Sequence, residues 1–252
     1  MSTVLFVGER ESHLMTWSSR LNRRAFLVGT FLAVATLSVS IPTAHAAGSN
    51  RSIAAGKCNF IKVAKPANLR GCDLYGQNLS GLDLTGADLR GANLLLAKLS
   101  GTKLTRAKMS GAVLVGADLS RTNLVNADLS GADLGAADFE GANLKGANLT
   151  KAEFEGADFW DTDMRNTKLN SVRALTSSFR NANMTGAQMS NAKFSFCDFV
   201  KTNLTNANLQ RSDLTGSTFD GANLTRANFT MTVLLFTEFK DANLTGVRGF
   251  RP

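Results

Sequence analysis

Histidine is nearly missing from this chain: there are two, His13 and His45. Both fall in an N-terminal segment with the marks of an export signal, so the chain left after its removal has none. General acid–base and nucleophilic catalysis recruit histidine most often, and zinc sites need clustered His, Cys or carboxylate ligands. Cysteine is scarce too, and Cys58, Cys72 and Cys197 show no zinc spacing. The Gly-rich calcium nonapeptide and the G-x-x-x-x-G-K-S/T phosphate loop are also absent. No cofactor and no metal are expected. Long hydrophobic runs are lacking except from Ala25 to Ile41.

That run defines a segment of its own. Residues 1–46 combine a basic "SRLNRRAFLVG", the uncharged stretch and Ala44-His45-Ala46, the three parts of a cleavable signal peptide. "NRRAFL" resembles the twin-arginine signal at Arg23, Arg24, Phe26 and Leu27, with Val28 where a basic residue is frequent. An uncleaved anchor is the competing reading, because 17 apolar or small residues approach a bilayer span. The Ser and Thr content and the small-x-small pair Ala44 and Ala46 favour cleavage. The expected location is the periplasm or another extracytoplasmic compartment, with membrane contact only through an uncleaved signal. Cleavage lowers the net charge from +8 to +6. In an oxidising compartment Cys58 and Cys72 form a possible disulfide, worth about 3 kcal/mol if made; two packed thiols are the alternative. An odd count leaves at least one thiol outside any intramolecular pair.

The rest of the chain has a beat. Of the 36 positions taken every fifth residue from Leu69 to Leu244, all but Ala174 are Leu, Met or Phe. Two residues earlier the chain is nearly always small, one earlier it is usually Asp or Asn, and two later often Gly, giving A-(D/N)-L-x-G. A period of five fits neither a helix nor a long strand. It suits a chain that turns a corner every five residues and must stack in coils to bury its apolar side. Phe139, Phe159, Phe179, Phe199, Phe219 and Phe239 lie 20 apart, so four sides per coil would align them in one column. At Ala174, either Phe154 and Phe194 fill the space or a bulge brings Leu175 inward.

With these features, residues 67–246 resemble the pentapeptide-repeat family. The resemblance implies an all-β fold, a right-handed parallel four-sided β-helix (solenoid) of about nine coils. Residues 47–66, with "CNFIKVAKP", are then an N-terminal linker or cap, and 247–252 a C-terminal tail with Phe250 as a plug. So short a tail leaves an end-to-end dimer open.

The columns beginning at Leu69, Leu74, Leu79 and Leu84 carry net outward charges of +4, −3, −4 and +3. Some family members protect DNA gyrase as acidic DNA mimics; a balanced rod behind an export signal departs from that pattern. A β-helix enzyme or ligand binder acting on polysaccharide is the other alternative, with Asp118, Asp138, Asp158 and Asp198 in one column; capping of nearby backbone N–H groups explains that column more simply. Nucleic acid is not favoured, because no aromatics interleave with Arg70, Arg90, Lys103, Arg106, Lys108, Lys145, Lys151 and Arg165. Thr85, Thr105, Thr185, Thr205, Thr225 and Thr245 form an outward column broken by Val125, Lys145 and Arg165; regular Thr rows can bind ice, and cross-strand contact explains this interrupted one more simply. The side beginning at Leu74 carries Leu95, Leu96, Val113, Val115, Leu175, Phe196, Val233, Leu235 and Phe236 outward. Clustered apolar surface marks an interaction site; the competing reading is that β-branched and apolar residues simply suit a strand. The reading is therefore an exported, non-enzymatic scaffold whose partner is another protein or itself.

Overall fold

A computed structural model describes residues 66–250 of the 252. They belong to one compact unit, Ser52–Pro252. The signal residues Arg23, Arg24, Ala44 and Ala46, most of the proposed cap, and Cys58 lie outside the described residues.

Every repeat has the same local path: one bridge residue, the large apolar residue, two turn residues and the small residue. The second turn residue always has a left-handed backbone, from φ 52° at Ala136 to 70° at Gly81. A left-handed residue ends extended structure, so each segment is cut off after a single paired position. This corrects the expected all-β, right-handed parallel four-sided β-helix: among the described residues there is neither a β-strand nor a helix. In their place stand isolated parallel bridges between residues 20 apart.

The bridges form four ladders. Ladder I runs from Asn68 through Asp88 and Lys108, ladder II from Asp73 through Asn93 and Val113, ladder III from Asn78 through Lys98 and Asp118, and ladder IV from Asp83 through Lys103 and Asn123. One bridge position from each makes a tier. Between tiers, Leu69 N–H donates to the Asp88 carbonyl at 2.7 Å and Asp88 N–H to the Ala67 carbonyl at 2.8 Å. Within a tier, Cys72 N–H donates to the Leu69 carbonyl at 3.1 Å and closes the turn. The backbone is thus satisfied without strands, as burial demands.

Side chains finish each turn. The Asn or Asp of the bridge accepts the N–H two residues on, as Asn78 Oδ1 does from Ser80 at 3.1 Å. This Asx arrangement is why Asn and Asp recur there. Where Ser or Thr replaces the small Ala, the buried hydroxyl donates to a carbonyl: Thr122 to Leu119 at 2.6 Å in its own turn, Thr102 to Leu79 at 2.8 Å one tier away.

The large residues fill the interior, and most are fully buried. Each contributes about 1.5–3 kcal/mol by leaving water. The Phe column expected from the 20-residue spacing is present: Phe159 and Phe179 stack at 5.0 Å and 4° between planes, Phe179 and Phe199 at 4.8 Å and 6°. Ala174 is buried and its bridge neighbour Arg173 keeps register with Glu153 and Lys193, so there is no bulge and Leu175 stays outside. Phe154 and Phe194 meet Phe179 edge-on at 6.2 and 5.8 Å instead, filling the space beside Ala174.

At the C-terminal end Phe250 lies edge-on to Phe229 and Phe239 at 5.9 and 5.0 Å, the plug the tail was expected to provide. It covers the last tier only in part. Leu234, Phe239 and Leu244 remain partly exposed, and their N–H groups have no backbone acceptor among the described residues.

Candidate interaction surface

Ladder II and its turns carry most of the apolar surface. Of the nine large hydrophobic residues exposed among the described residues, seven are there: Tyr75, Leu96, Val113, Phe196, Val233, Leu235 and Phe236. Leu95, Val115 and Leu175 are half-buried. Leu95, Leu96, Val113 and Val115 occupy adjoining tiers, while Val233, Leu235 and Phe236 share the last one. Asp133, Glu153 and Glu155 separate the two groups. Tyr75 was missed in the sequence although it holds the same repeat position as Leu95 and Leu235; Met231, also exposed, was missed because it belongs to the ladder I turn.

The turn positions between ladders II and III give this surface a rim. Leu96 and Phe196 sit at left-handed positions with φ of 56° and 58°, and Phe236 with 55°. Each of the first two lies across the glycine of the next tier. A Cβ on Gly116 would come within 2.7 Å of Leu96 Cδ2, and one on Gly216 within 2.5 Å of two Phe196 ring carbons. Glycine at both places leaves room for these apolar side chains to lie along the rim.

The carboxylates of ladder III have local partners. Asp118 accepts from Ser120 N–H at 3.0 Å and from its hydroxyl at 2.6 Å; Asp138, Asp158 and Asp198 accept from the N–H of Glu140, Trp160 and Val200 at 2.9, 2.9 and 2.8 Å. They are turn caps, and no cluster of three or more His, Cys, Asp or Glu able to hold a metal occurs among the described residues. Trp160, in the following turn, buries its indole N–H without an acceptor. Cys197 is buried and donates its thiol to the Ala174 carbonyl at 3.0 Å; burial pushes its pKa up to about 12. Cys72 is disulfide-bonded, and because Cys58 lies outside the described residues, the pairing of these two remains a proposal.

On the basic ladders two arginines are engaged by their own repeats. Arg90 holds Asp88 through Nε at 2.8 Å and a second nitrogen at 2.5 Å, which lowers the Asp88 pKa to about 2. Arg165 holds Asp163 in the same way and draws it down likewise. The Thr row of ladder IV is also local. Thr185, Thr205, Thr225 and Thr245 donate to Asn183, Asn203, Asn223 and Asn243 at 2.8, 2.7, 2.6 and 2.7 Å. Each of these hydroxyls is satisfied by the asparagine two residues earlier. Among the described residues no helix is long and apolar enough to cross a membrane.

The family model for pentapeptide repeats matches residues 67–106, 97–135, 132–170, 177–206 and 207–246. Among solved structures the chain is similar to HetL, a pentapeptide repeat protein involved in heterocyst differentiation regulation in the cyanobacterium Nostoc, with 28% identity over 78% of this chain and 93% of that one and a TM-score of 0.45. It is similar to QnrB1, a plasmid-mediated fluoroquinolone resistance protein, with 20% identity over 71% and 91% and a TM-score of 0.43. A pentapeptide repeat protein of the Arabidopsis thaliana thylakoid lumen is 33% identical over 48% of this chain and 67% of that one, with a TM-score of 0.23. No curated protein matches the chain. With the family model spanning nearly all of the repeats, this chain belongs to the pentapeptide-repeat family.

Proposed function

We propose that the protein is an exported scaffold that presents ladder II and its rim to a protein partner outside the cytoplasm. The observation that carries the reading is the one-sidedness of the apolar surface, with seven of nine exposed large hydrophobics on one ladder of four. Surface of that kind, kept in water by a monomer, marks a contact site more often than chance scatter. The N-terminal segment with Arg23 and Arg24 supports export. The balanced charges of the four ladders argue against the acidic DNA mimic, and carboxylates bound into turns argue against a polysaccharide-cleaving site.

The test is a cross-linked pull-down from the cell envelope with the tagged full chain beside a Leu235→Glu, Phe236→Glu variant shown by circular dichroism to be folded. The expected result is a partner captured by the wild type and lost by the variant. Equal capture by both would remove ladder II as the surface.

A further inference from the structure

We infer that the rim between ladders II and III docks side by side onto the ladder IV and I faces of a second copy of this chain. The inference rests on the scaffold reading and names the partner for that same surface.

Two independent features point there. The first is backbone conformation. A left-handed backbone is unfavourable for a residue with a side chain, and the corners accordingly favour Gly or polar residues. Large apolar residues occupy the second turn position at Leu96, Phe196, Met231 and Phe236 only. Three of those four fall on the II–III rim, with 52%, 63% and 87% of their surface exposed. Left-handed corners occur on every side, but exposed apolar side chains on them concentrate at this edge, with Met231 the exception, a combination expected of contact residues rather than of packing. Because Leu96 and Phe196 lie flat over Gly116 and Gly216, the strip is shaped to meet a flat face, not a deep groove.

The second feature is charge. Ladders II and III, which flank the rim, are net acidic at −3 and −4; ladders IV and I, which flank the opposite corner, are net basic at +3 and +4. The molecule therefore carries the complement of its own rim. Two rims facing each other would be repelled, whereas a rim against a IV–I corner is attracted. Exposed Lys103, Arg106, Lys108 and Lys145 at that corner also offer what exposed Phe rings accept, cationic heads for cation–π contact and methylene stems for packing. Such a contact joins different surfaces of two identical chains, and because those surfaces lie at opposite corners it builds rows rather than a closed two-fold pair.

The experiment is sedimentation velocity on the purified full chain over a range of concentrations and salt. Species heavier than the monomer are expected at about 20 mM salt, growing with concentration and dissolving near 500 mM, where charges are screened within a few ångströms. Two variants, each checked for fold, divide the contact: Leu96→Ser, Phe196→Ser, Phe236→Ser lacks the rim, and Lys103→Glu, Lys145→Glu lacks the basic face. Each alone is expected to be monomeric. Mixed, they should form one species of twice the monomer mass and nothing larger, since each keeps one half of the contact. A wild type that stays monomeric at every concentration and salt overturns the inference, as does self-association that survives both variants, which would place it at the open C-terminal tier. If the wild type is monomeric but the envelope pull-down still depends on Leu235 and Phe236, self-docking fails while the scaffold reading stands.

Discussion

Replacing Phe179 by alanine removes the middle ring of the Phe column. The ring is fully buried, stacks on Phe159 and Phe199, and takes the edges of Phe154 and Phe194. Phe→Ala in a packed core costs about 3–5 kcal/mol, the cavity term depending on how far neighbours collapse. Here the two flanking rings are held in stacks of their own backbone register, and the neighbouring central residue of the tier, Ala174, has no bulk to move in. Loss of ring pairs, each worth about 0.5–1.5 kcal/mol beyond area, adds to this. The expected cost is therefore near 5 kcal/mol for Phe179→Ala, against about 1–2 kcal/mol for Phe179→Leu, which installs the residue that Leu79, Leu99 and Leu119 supply at this position. Equilibrium urea unfolding followed by far-UV circular dichroism and by Trp fluorescence measures both. Coincident probes are required for a single free energy, because a broken tier in a stack of nearest-neighbour units can split the transition in two. A Phe179→Ala cost below about 2 kcal/mol, or one within 1 kcal/mol of Phe179→Leu, would refute the column as a source of stability.

Ala174→Leu restores the repeat rule yet is expected to destabilise by about 1–3 kcal/mol in the same urea assay, because Phe154 and Phe194 already occupy the space; a stabilised variant would show that the space is empty. Trp160→Phe deletes a buried N–H that has no acceptor, so thermal melting should be unchanged or raised by up to about 1 kcal/mol, and a loss above 2 kcal/mol would reveal a hidden partner. With its pKa near 12, native Cys197 should not react with a thiol reagent at pH 8 and should react fully after unfolding. Asp88 is held down to about 2 from an ordinary 3.8 by Arg90. A depressed carboxylate stabilises the fold above its unfolded pKa and stops doing so as pH falls through the folded one. Melting temperature at low salt should therefore drop between pH 3.8 and about 2, and Arg90→Met should flatten that part of the profile.

The residues that repeat were readable as a pattern, and those whose neighbours come from other tiers were not. Leu, the small residue and the Phe spacing of 20 told the inside from the outside and placed the stacked rings, because one periodicity sets both. The same five-residue period led to a mistaken expectation of strands. It does not say how many residues per side can pair, and the left-handed turn residue cuts that number to one. Ala174 left two readings open because the volume of Phe154 and Phe194 decides, and volume across tiers is not a sequence signal. The Asp88–Arg90 and Asp163–Arg165 pairs were legible as charges two apart, a spacing that matters only once both side chains are known to lie on one outward strip. Of the surface, the ladder II side was found by sorting outward positions, while the rim became visible only with the turn geometry of Leu96, Phe196 and Phe236.

The mismatch between a five-residue unit and a twenty-residue tier has a consequence for how such genes change. Loss or gain of one pentapeptide leaves every later repeat able to bury its own small and large residues, so the interior tolerates it. Everything downstream, however, moves on by one ladder. Phe179, Phe199 and Phe219 would leave the column of Phe139 and Phe159, and acidic strips would continue into basic ones. A deletion of twenty residues shortens the molecule and keeps each strip in line. Selection on surfaces should therefore count in twenties where selection on the core alone would count in fives, a difference that a spacing of 20, such as runs from Phe139 to Phe239, records and the five-residue phase, unbroken by either kind of change, does not.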